Sequence, residues 1–308
     1  MGYEKFYGIK ERPFTITPDP KFFYPDEQHM TALAKVKDAV DGSKGLAVII
    51  GDIGVGKTFL SRKLLDMLTD EEDKYEASLF IVIHHEITAT WMLKSIAKSL
   101  GVSTPVEDKT GLISQICRKI TEIDSQGKKA IVLVDEAHMF QNRGIYEELR
   151  GLLNVEVERR KLLNIALFGP PELDKFMALD PPLVSRIGLK LTLQTFTVDS
   201  IAGYVKHRLK IACCEKDIFT DDVFPIMHKF SRGIPRLING ICENALLEGF
   251  MQNKEVIDVK IIEQVSVDLG LNQSTQEVKD KIDEVAPEQK TKKPDEASQE
   301  RKRRISFL

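Results

Sequence analysis

The segment Gly51-Asp52-Ile53-Gly54-Val55-Gly56-Lys57-Thr58 decides the fold of this chain. It matches the pattern G-x-x-x-x-G-K-[ST] in full, follows the apolar run 46–50 and opens a segment with helical periodicity. The glycines let successive backbone N–H groups point at phosphate oxygens, and the helix that follows adds its positive dipole end. We expect this loop to bind ATP, with Lys57 on the β- and γ-phosphates and the Thr58 hydroxyl as a ligand of Mg²⁺.

Four more apolar runs follow the loop, with helical patterns between them. Most of the runs lack polar alternation, as strands that are buried on both faces do. The pattern predicts an α/β fold, the doubly wound parallel sheet of the P-loop NTPases, over residues 31–195. The runs are residues 79–83, 130–134, 163–168 and 189–193.

The sequence on either side of this core has a different character. Residues 1–30 are rich in aromatics and broken by prolines, which predicts an extended arm packed on the core. Residues 196–270 carry four amphipathic helical patterns and predict a small all-helical lid domain, with helices at 197–213, 221–230, 235–251 and 258–269. Residues 271–308 are polar and charged, carry the basic cluster Arg301–Arg304 before the last four residues, and predict a disordered tail.

Composition excludes several classes of protein. The 308 residues carry a net charge of −3, which gives the whole chain no electrostatic preference for nucleic acid or anionic membrane. None of the four cysteines forms a C-x-x-C pair, so the sequence does not predict a zinc finger or a thioredoxin-like redox site. We expect Cys213 and Cys214 to be helical residues in a reducing compartment. A signal peptide and a transmembrane segment are not recognisable, so we expect a cytoplasmic protein.

Two carboxylates follow the run 130–134 directly. We expect Asp135 to hold Mg²⁺ through water and Glu136 to act as the general base on the attacking water. The pattern N-K-x-D, which reads guanine, is not met, because its nearest match is Asn253-Lys254-Glu255-Val256. His138 is interpreted as a surface histidine at the start of a loop.

At this point a family resemblance becomes specific. The stretches 3–14 and 17–24, the phosphate loop, the Asp135-Glu136 pair and the phrase 233–239 are similar to the ExeA/GspA family of AAA+ ATPases, the general secretion pathway protein A type. The resemblance implies that Arg186 is an arginine finger that reaches the γ-phosphate on a neighbouring copy. It also implies that Arg236 is a sensor-2 arginine, bound to the γ-phosphate in its own copy.

The chain departs from the family at one place. Members usually carry G-Q-P-E-L after the fourth core strand, where a polar sensor-1 group is expected, whereas this chain reads Gly169-Pro170-Pro171-Glu172-Leu173. Proline has no side chain that can hydrogen-bond, so either another group such as Asn164 does the sensing or hydrolysis is slow. The resemblance implies a polar switch that restrains the catalytic glutamate at His84 or His85; the alternative is that both are ordinary polar residues at a strand end. The resemblance implies that adenine is bound near Phe23, Tyr24 and His29; the alternative is that these side chains only attach the arm to the core.

The resemblance favours an ATP-hydrolysing motor or switch that supports assembly or energising of a bacterial envelope system, such as secretion or a pilus. It implies ATP-dependent self-association into a dimer or ring, and an envelope or inner-membrane protein as partner, through which the protein associates with the membrane. Two alternatives stay open. One is a DNA-binding helper ATPase for transposition or replication; the other is a nucleotide-gated binding module with little turnover, motivated by Pro170.

Overall fold

Strands and helices alternate in this chain up to residue 193. A computed structural model describes residues 2–271, except residues 16, 18, 85 and 215. The strands are β1 (Leu46–Gly51), β2 (Tyr75–Ile81), β3 (Lys129–Asp135), β4 (Glu156–Val157), β5 (Arg160–Lys161), β6 (Leu163–Gly169) and β7 (Ile187–Leu193). The helices are α1 (Tyr3–Tyr7), α2 (Glu27–Asp41), α3 (Lys57–Thr69), α4 (Ala89–Ser99), α5 (Lys109–Ser125), α6 (Arg143–Leu152), α7 (Glu172–Met177), α8 (Pro181–Val184), α9 (Val198–Ile211), α10 (Val223–Ser231), α11 (Pro235–Met251) and α12 (Val259–Asp268). Short 3₁₀ turns occupy Pro20–Phe22 and Ala137–Met139.

Five of the strands form one parallel sheet in the order β2-β3-β6-β1-β7. Strands β1 and β3 both pair with β6, so their carboxyl ends lie roughly 10 Å apart at one edge of the sheet. The phosphate loop follows β1, and the two acidic residues end β3 or follow it directly. The predicted doubly wound parallel α/β fold is confirmed, and its topology brings the two sequence motifs to the same edge.

Helices cover both faces of the sheet. Val48 and Ile50 of β1 belong to a buried cluster with side chains of α4, α5 and α6, whereas Ala47 and Ile49 belong to a second cluster with α2 and α3. Side chains alternate across a strand, so a strand buried on both faces needs apolar residues at every position. This is why β1 was recognisable from its unbroken apolar run.

The sequence did not reveal the first half of β2. That strand begins at Tyr75, four residues before the predicted run, and ends at Ile81, so that Ile83 is 78% exposed. Because β2 lies at an edge of the sheet and is half-buried, its first half contains polar residues that hide it. The β4–β5 hairpin was also missed; its two-residue turn has Glu158 and Arg159 at φ 51° and 66°, the left-handed pair of a tight hairpin.

In the described part of the chain, four helices follow the sheet, as predicted. The predicted span 235–251 is that of α11, and the other three predicted spans differ from α9, α10 and α12 by one or two residues at each end. Thr197 and Asp258 lie outside their helices as N-caps, where their side chains accept hydrogen bonds from the N–H groups of Ser200 and Ile261. The assignment of Cys213 and Cys214 to a helix is wrong: α9 ends at Ile211, and Cys213 has a left-handed φ of 60°.

The aromatic arm packs on the helical region. The Tyr3 hydroxyl donates a hydrogen bond of 2.8 Å to the Glu243 carboxylate, and the Tyr7 hydroxyl donates one of 2.9 Å to the Lys254 carbonyl. Tyr3 and Tyr7 are buried and belong to the short helix α1, a local departure from the predicted extended arm. Arm, sheet and helices belong to one compact unit that ends at Leu269.

The predicted disordered tail, apart from residue 271, falls outside the described residues, as do Arg301–Arg304. In the part of the chain that the structure describes, no helix is both long enough and apolar enough to cross a bilayer.

Asn164 occupies the amino end of β6 and not the end near the phosphate loop. Its Oδ1 accepts a hydrogen bond of 3.2 Å from the Gly45 N–H, and its Nδ2 donates one of 3.3 Å to the Ala130 carbonyl. The side chain is 4% exposed. It therefore ties β6 to the starts of β1 and β3, at the edge of the sheet opposite the phosphate loop. The expectation that Asn164 replaces the sensor-1 group is wrong.

Replacement of Asn164 by Ala tests this structural role. The change leaves the Gly45 N–H and the Ala130 carbonyl without their side-chain partner, which costs about 1–3 kcal/mol of unfolding free energy. Urea unfolding should show this loss, while the Kd for ATP stays at the wild-type value. Unchanged stability together with weakened nucleotide binding would contradict the assignment.

Candidate nucleotide-binding site

The phosphate loop is confined by two other parts of the chain. Gly54 and Gly56 have left-handed φ angles of 88° and 107°. A Cβ at Gly54 would lie 3.0 Å from the Cβ of Arg236, and a Cβ at Gly56 would lie 3.1 Å from Nε2 of His29. Glycine is needed at both positions for the backbone conformation and for the close approach of α11 and α2.

Lys57 begins α3 and is 6% exposed. Its Nζ donates hydrogen bonds of 2.7 Å and 2.9 Å to the carbonyls of Gly51 and Asp52. Burial lowers the pKa of Lys57, because it disfavours the charged ammonium, and the nearby carboxylates of Glu136 and Asp135 oppose that shift. A buried ammonium with acceptors from its own loop is already held in place to bind an anion.

Asp135 ends β3 and is 1% exposed. Its Oδ1 accepts a hydrogen bond of 3.0 Å from the Glu136 N–H, while its Oδ2 is buried without any hydrogen-bond partner. An unpaired buried carboxylate oxygen is costly, so this atom suits a bound cation.

Mg²⁺ prefers oxygen ligands and is usually held by one or two side chains together with substrate phosphates and waters. The Asp135 carboxylate and the Thr58 hydroxyl, in the first turn of α3, fit that requirement. Within residues 2–271, apart from the four not described, His, Cys, Asp and Glu side chains do not form any group of three placed to hold a metal alone. A magnesium ion at Asp135 and Thr58 would therefore depend on the phosphates of the nucleotide.

Glu136 follows Asp135 in a left-handed conformation with φ 55°. Non-glycine residues in this region are uncommon and concentrate at functional sites. Glu136 lines the same cavity as Lys57. His138 was expected to be a surface histidine but is only 21% exposed, and its Nδ1 lies 3.3 Å from Oε2 of Glu136.

A cavity of about 360 Å³ extends from the phosphate loop. Four parts of the chain form its walls: the arm with the start of α2, the phosphate loop with α3, Glu136 after β3, and the helical region. The volume lies in the range of small-molecule sites. Its lining residues are Thr15, Thr17, Phe22, Phe23, Tyr24, His29, Ile53, Gly54, Val55, Gly56, Lys57, Thr58, Phe59, Glu136, Phe196, Tyr204, Arg208, Pro235, Arg236 and Asn239.

The aromatic end of the cavity contains Phe23, Tyr24 and His29, the three residues that the sequence suggested for the base. Phe23 stacks on Phe59, with ring centroids 5.5 Å apart and an interplanar angle of 14°. The buried His29 pairs through Nδ1 with the Asp26 carboxylate. This end offers flat apolar surfaces of the kind on which a purine stacks.

Sequence reasoning missed the residues that complete this end of the cavity from the helical region. Arg208 is buried; its Nη1 donates a hydrogen bond of 2.7 Å to the Tyr204 hydroxyl, which donates one of 2.8 Å to Oδ1 of Asn239. The first two residues lie in a segment without any recognised motif. Only Asn239 carried a signal, as the last residue of the phrase 233–239.

The two predicted arginines lie in different places. Arg236 is the second residue of α11, lines the cavity, and its N–H donates a hydrogen bond of 3.3 Å to the Gly54 carbonyl. Arg186 lies between α8 and β7, does not line the cavity, and donates a hydrogen bond to Oδ1 of Asn154. The structure thus brings Arg236, but not Arg186, to the cavity of its own chain.

Of the two histidines that follow β2, the structure describes one. His84 is exposed, and its ring lies 5.5 Å from that of Trp91. His85 lies outside the described residues. The prediction of a polar switch at either position stays a prediction.

Fold and site together define a P-loop protein of the AAA class. The family model for an AAA domain matches residues 40–177. Over 261 residues, or 83% of its length, the chain is 33% identical to General secretion pathway protein A of Aeromonas hydrophila and spans 46% of that protein. The chain is an AAA protein of the ExeA/GspA type, as the sequence phrases had indicated.

Solved structures share the fold at low sequence identity. CDC6P of Pyrobaculum aerophilum superposes with a TM-score of 0.64 at 17% identity, over 84% of this chain and 73% of the other. The ORC2 protein of Aeropyrum pernix, solved as ADPNP-ADP complexes, gives 0.63 at 14% identity, over 84% and 71%. At these identities the likeness shows a common fold.

Replacement of Lys57 by Ala removes the buried ammonium of the phosphate loop. We expect the Kd for ATP to rise about 100-fold or more, because a charge-assisted hydrogen bond to phosphate is lost inside a desolvated site. Titration with a fluorescent ATP analogue measures this, with Lys35→Ala on the exposed side of α2 as the matched control. Equal affinities of the two variants would refute the assignment of the loop.

Proposed function

We propose that this protein binds ATP with Mg²⁺ and hydrolyses it as an AAA+ motor or switch. The observation that carries the proposal is the unpartnered buried Oδ2 of Asp135, one residue from Glu136 and at the same sheet edge as Lys57. Lys57 and the loop amides would hold the phosphates, and Glu136 would accept the proton of the attacking water. Bound magnesium would supply charge neutralisation on the phosphates.

We further propose that hydrolysis requires a second copy of the chain. Arg186 does not line the cavity of its own chain, which supports a role in the site of a neighbouring copy. There its guanidinium would stabilise the charge on the transferring phosphoryl group. ATP would then order a dimer or ring, and hydrolysis would release it.

The relative named for general secretion supports a proposal for the cellular role. We propose that the ATPase cycle supports assembly or energising of a bacterial envelope system of the secretion or pilus type. The protein would work in the cytoplasm and reach the membrane through a protein partner. The chain spans about half of that relative, so this role rests on the shared ATPase part. A DNA-binding helper would instead show DNA-stimulated, salt-sensitive hydrolysis.

The catalytic role of Glu136 is tested by Glu136→Gln. The amide has the same shape but cannot accept the proton from water, so kcat should fall by at least about 100-fold while ATP still binds. Steady-state phosphate release and ATP titration measure the two properties. Glu172→Gln is the control, since the Glu172 charge also acts on Lys57. A Glu136→Gln enzyme with wild-type turnover would remove the residue from the mechanism.

The need for a neighbour is tested by Arg186→Ala. ATP affinity should stay unchanged, and kcat should fall by about 1,000-fold, as for other arginine fingers. In the wild type, specific activity should rise with protein concentration, and the variant should lose that dependence. Arg118→Ala, at an exposed site on α5, is the matched control. Wild-type specific activity that stays constant at every protein concentration would rule out the trans arginine.

A further inference from the structure

His138 presents a nitrogen atom that the fold leaves unsatisfied. Its Nδ1 is buried, lies 3.3 Å from Oε2 of Glu136, and has no hydrogen-bond partner. Buried polar atoms are nearly always paired, so an orphan beside a proposed catalytic carboxylate calls for an explanation. The sequence interpretation of His138 as a surface residue did not anticipate this contact.

The backbone fixes where the imidazole lies. Residues 137–139 form a 3₁₀ turn, closed by hydrogen bonds of 3.0 Å from the N–H groups of Met139 and Phe140 to the carbonyls of Glu136 and Ala137. Ala137 and Phe140, on either side of the histidine, are fully buried. The left-handed Glu136 precedes this turn and directs its carboxylate back toward Nδ1. Packed backbone thus fixes where both side chains begin.

The turn also lies against the end of β6. A Cβ at Gly169 would be 3.5 Å from the backbone nitrogen of His138. The next residue is Pro170, whose side chain cannot hydrogen-bond. Asn164, the other candidate on β6, serves the opposite edge of the sheet. His138 therefore brings a polar side chain to a sheet edge where the β6 position has none.

We propose that His138 is a positioning residue for Glu136. In the tautomer with its proton on Nδ1, a small rotation of the Glu136 side chain would turn the 3.3 Å approach into a hydrogen bond from Nδ1 to Oε2. That bond would hold the carboxylate in one orientation and leave Oε1 free to accept the proton of the attacking water. The proposal rests on the hydrolysis proposed above. It assigns to His138 an effect on kcat and none on nucleotide binding.

Two amide substitutions separate the hydrogen bond from simple packing. Asn places its side-chain nitrogen where Nδ1 lies, whereas Gln extends its nitrogen to the place of Nε2. We expect His138→Ala and His138→Gln to lower kcat about 10- to 100-fold, the value of a hydrogen bond to a charged group, with KM for ATP unchanged. His138→Asn should retain kcat within about threefold of wild type.

The measurements are steady-state phosphate release against ATP concentration for the intact chain, with thermal unfolding of every variant. If the alanine variant does not fold, the Asn and Gln pair still decides the matter. Equal kcat for Asn and Gln, or an alanine variant with wild-type kcat while Glu136→Gln is inactive, would overturn the role of His138 and leave the proposed function intact. A wild-type chain that binds ATP without turnover would overturn the proposed function, and this role with it.

Discussion

The site depends on a balance of charge that is buried at one edge of the sheet. Lys57 and Asp135 are both almost fully buried, and each would be costly alone. Because β1 and β3 both pair with β6, the ammonium and the carboxylates lie close enough to act on one another, and the carboxylates oppose the effect of burial on the pKa of Lys57. The unpaired Oδ2 of Asp135 shows that this balance is incomplete within the protein alone. A metal–triphosphate complex, with charges of both signs, complements it.

The arm and the helical region join this charged edge to the rest of the unit. The Tyr3–Glu243 and Tyr7–Lys254 hydrogen bonds attach the arm to the helical region, and the same arm then crosses the cavity at Phe22–Tyr24. The backbone of Arg236 bonds to the phosphate loop. A nucleotide in the cavity would therefore contact the phosphate loop, the arm and the helical region at once. Its binding would affect the arm and the helical region as well as the phosphate loop.

Sequence alone predicted what depends on local pattern. The phosphate loop has an unmistakable spacing, and strands buried on both faces have unbroken apolar runs, so β1 and β3 were placed within a residue or two. The polar first half of β2 was missed because this outermost strand is only half-buried and does not need an unbroken apolar run. Asn164 was placed correctly near the start of its strand, but the suggestion that it senses the nucleotide was wrong, because ligands of a parallel sheet bind at the carboxyl ends of the strands. Tyr204 and Arg208 reach the cavity through tertiary packing alone, which spacing cannot reveal.

The positions of the basic side chains suggest how binding and hydrolysis are separated. Lys57 and Arg236 both line the cavity of their own chain, where we propose that they hold the phosphates of ATP. Hydrolysis would require two further features: an oriented carboxylate at Glu136, and a positive charge that stabilises the transferring phosphoryl group. Pro170 has no side chain that can hydrogen-bond, and Arg186 does not line the cavity, so we propose that the turn with His138 meets the first requirement and that another copy of the chain meets the second. On this view one copy binds ATP, and the assembly decides when ATP is cleaved.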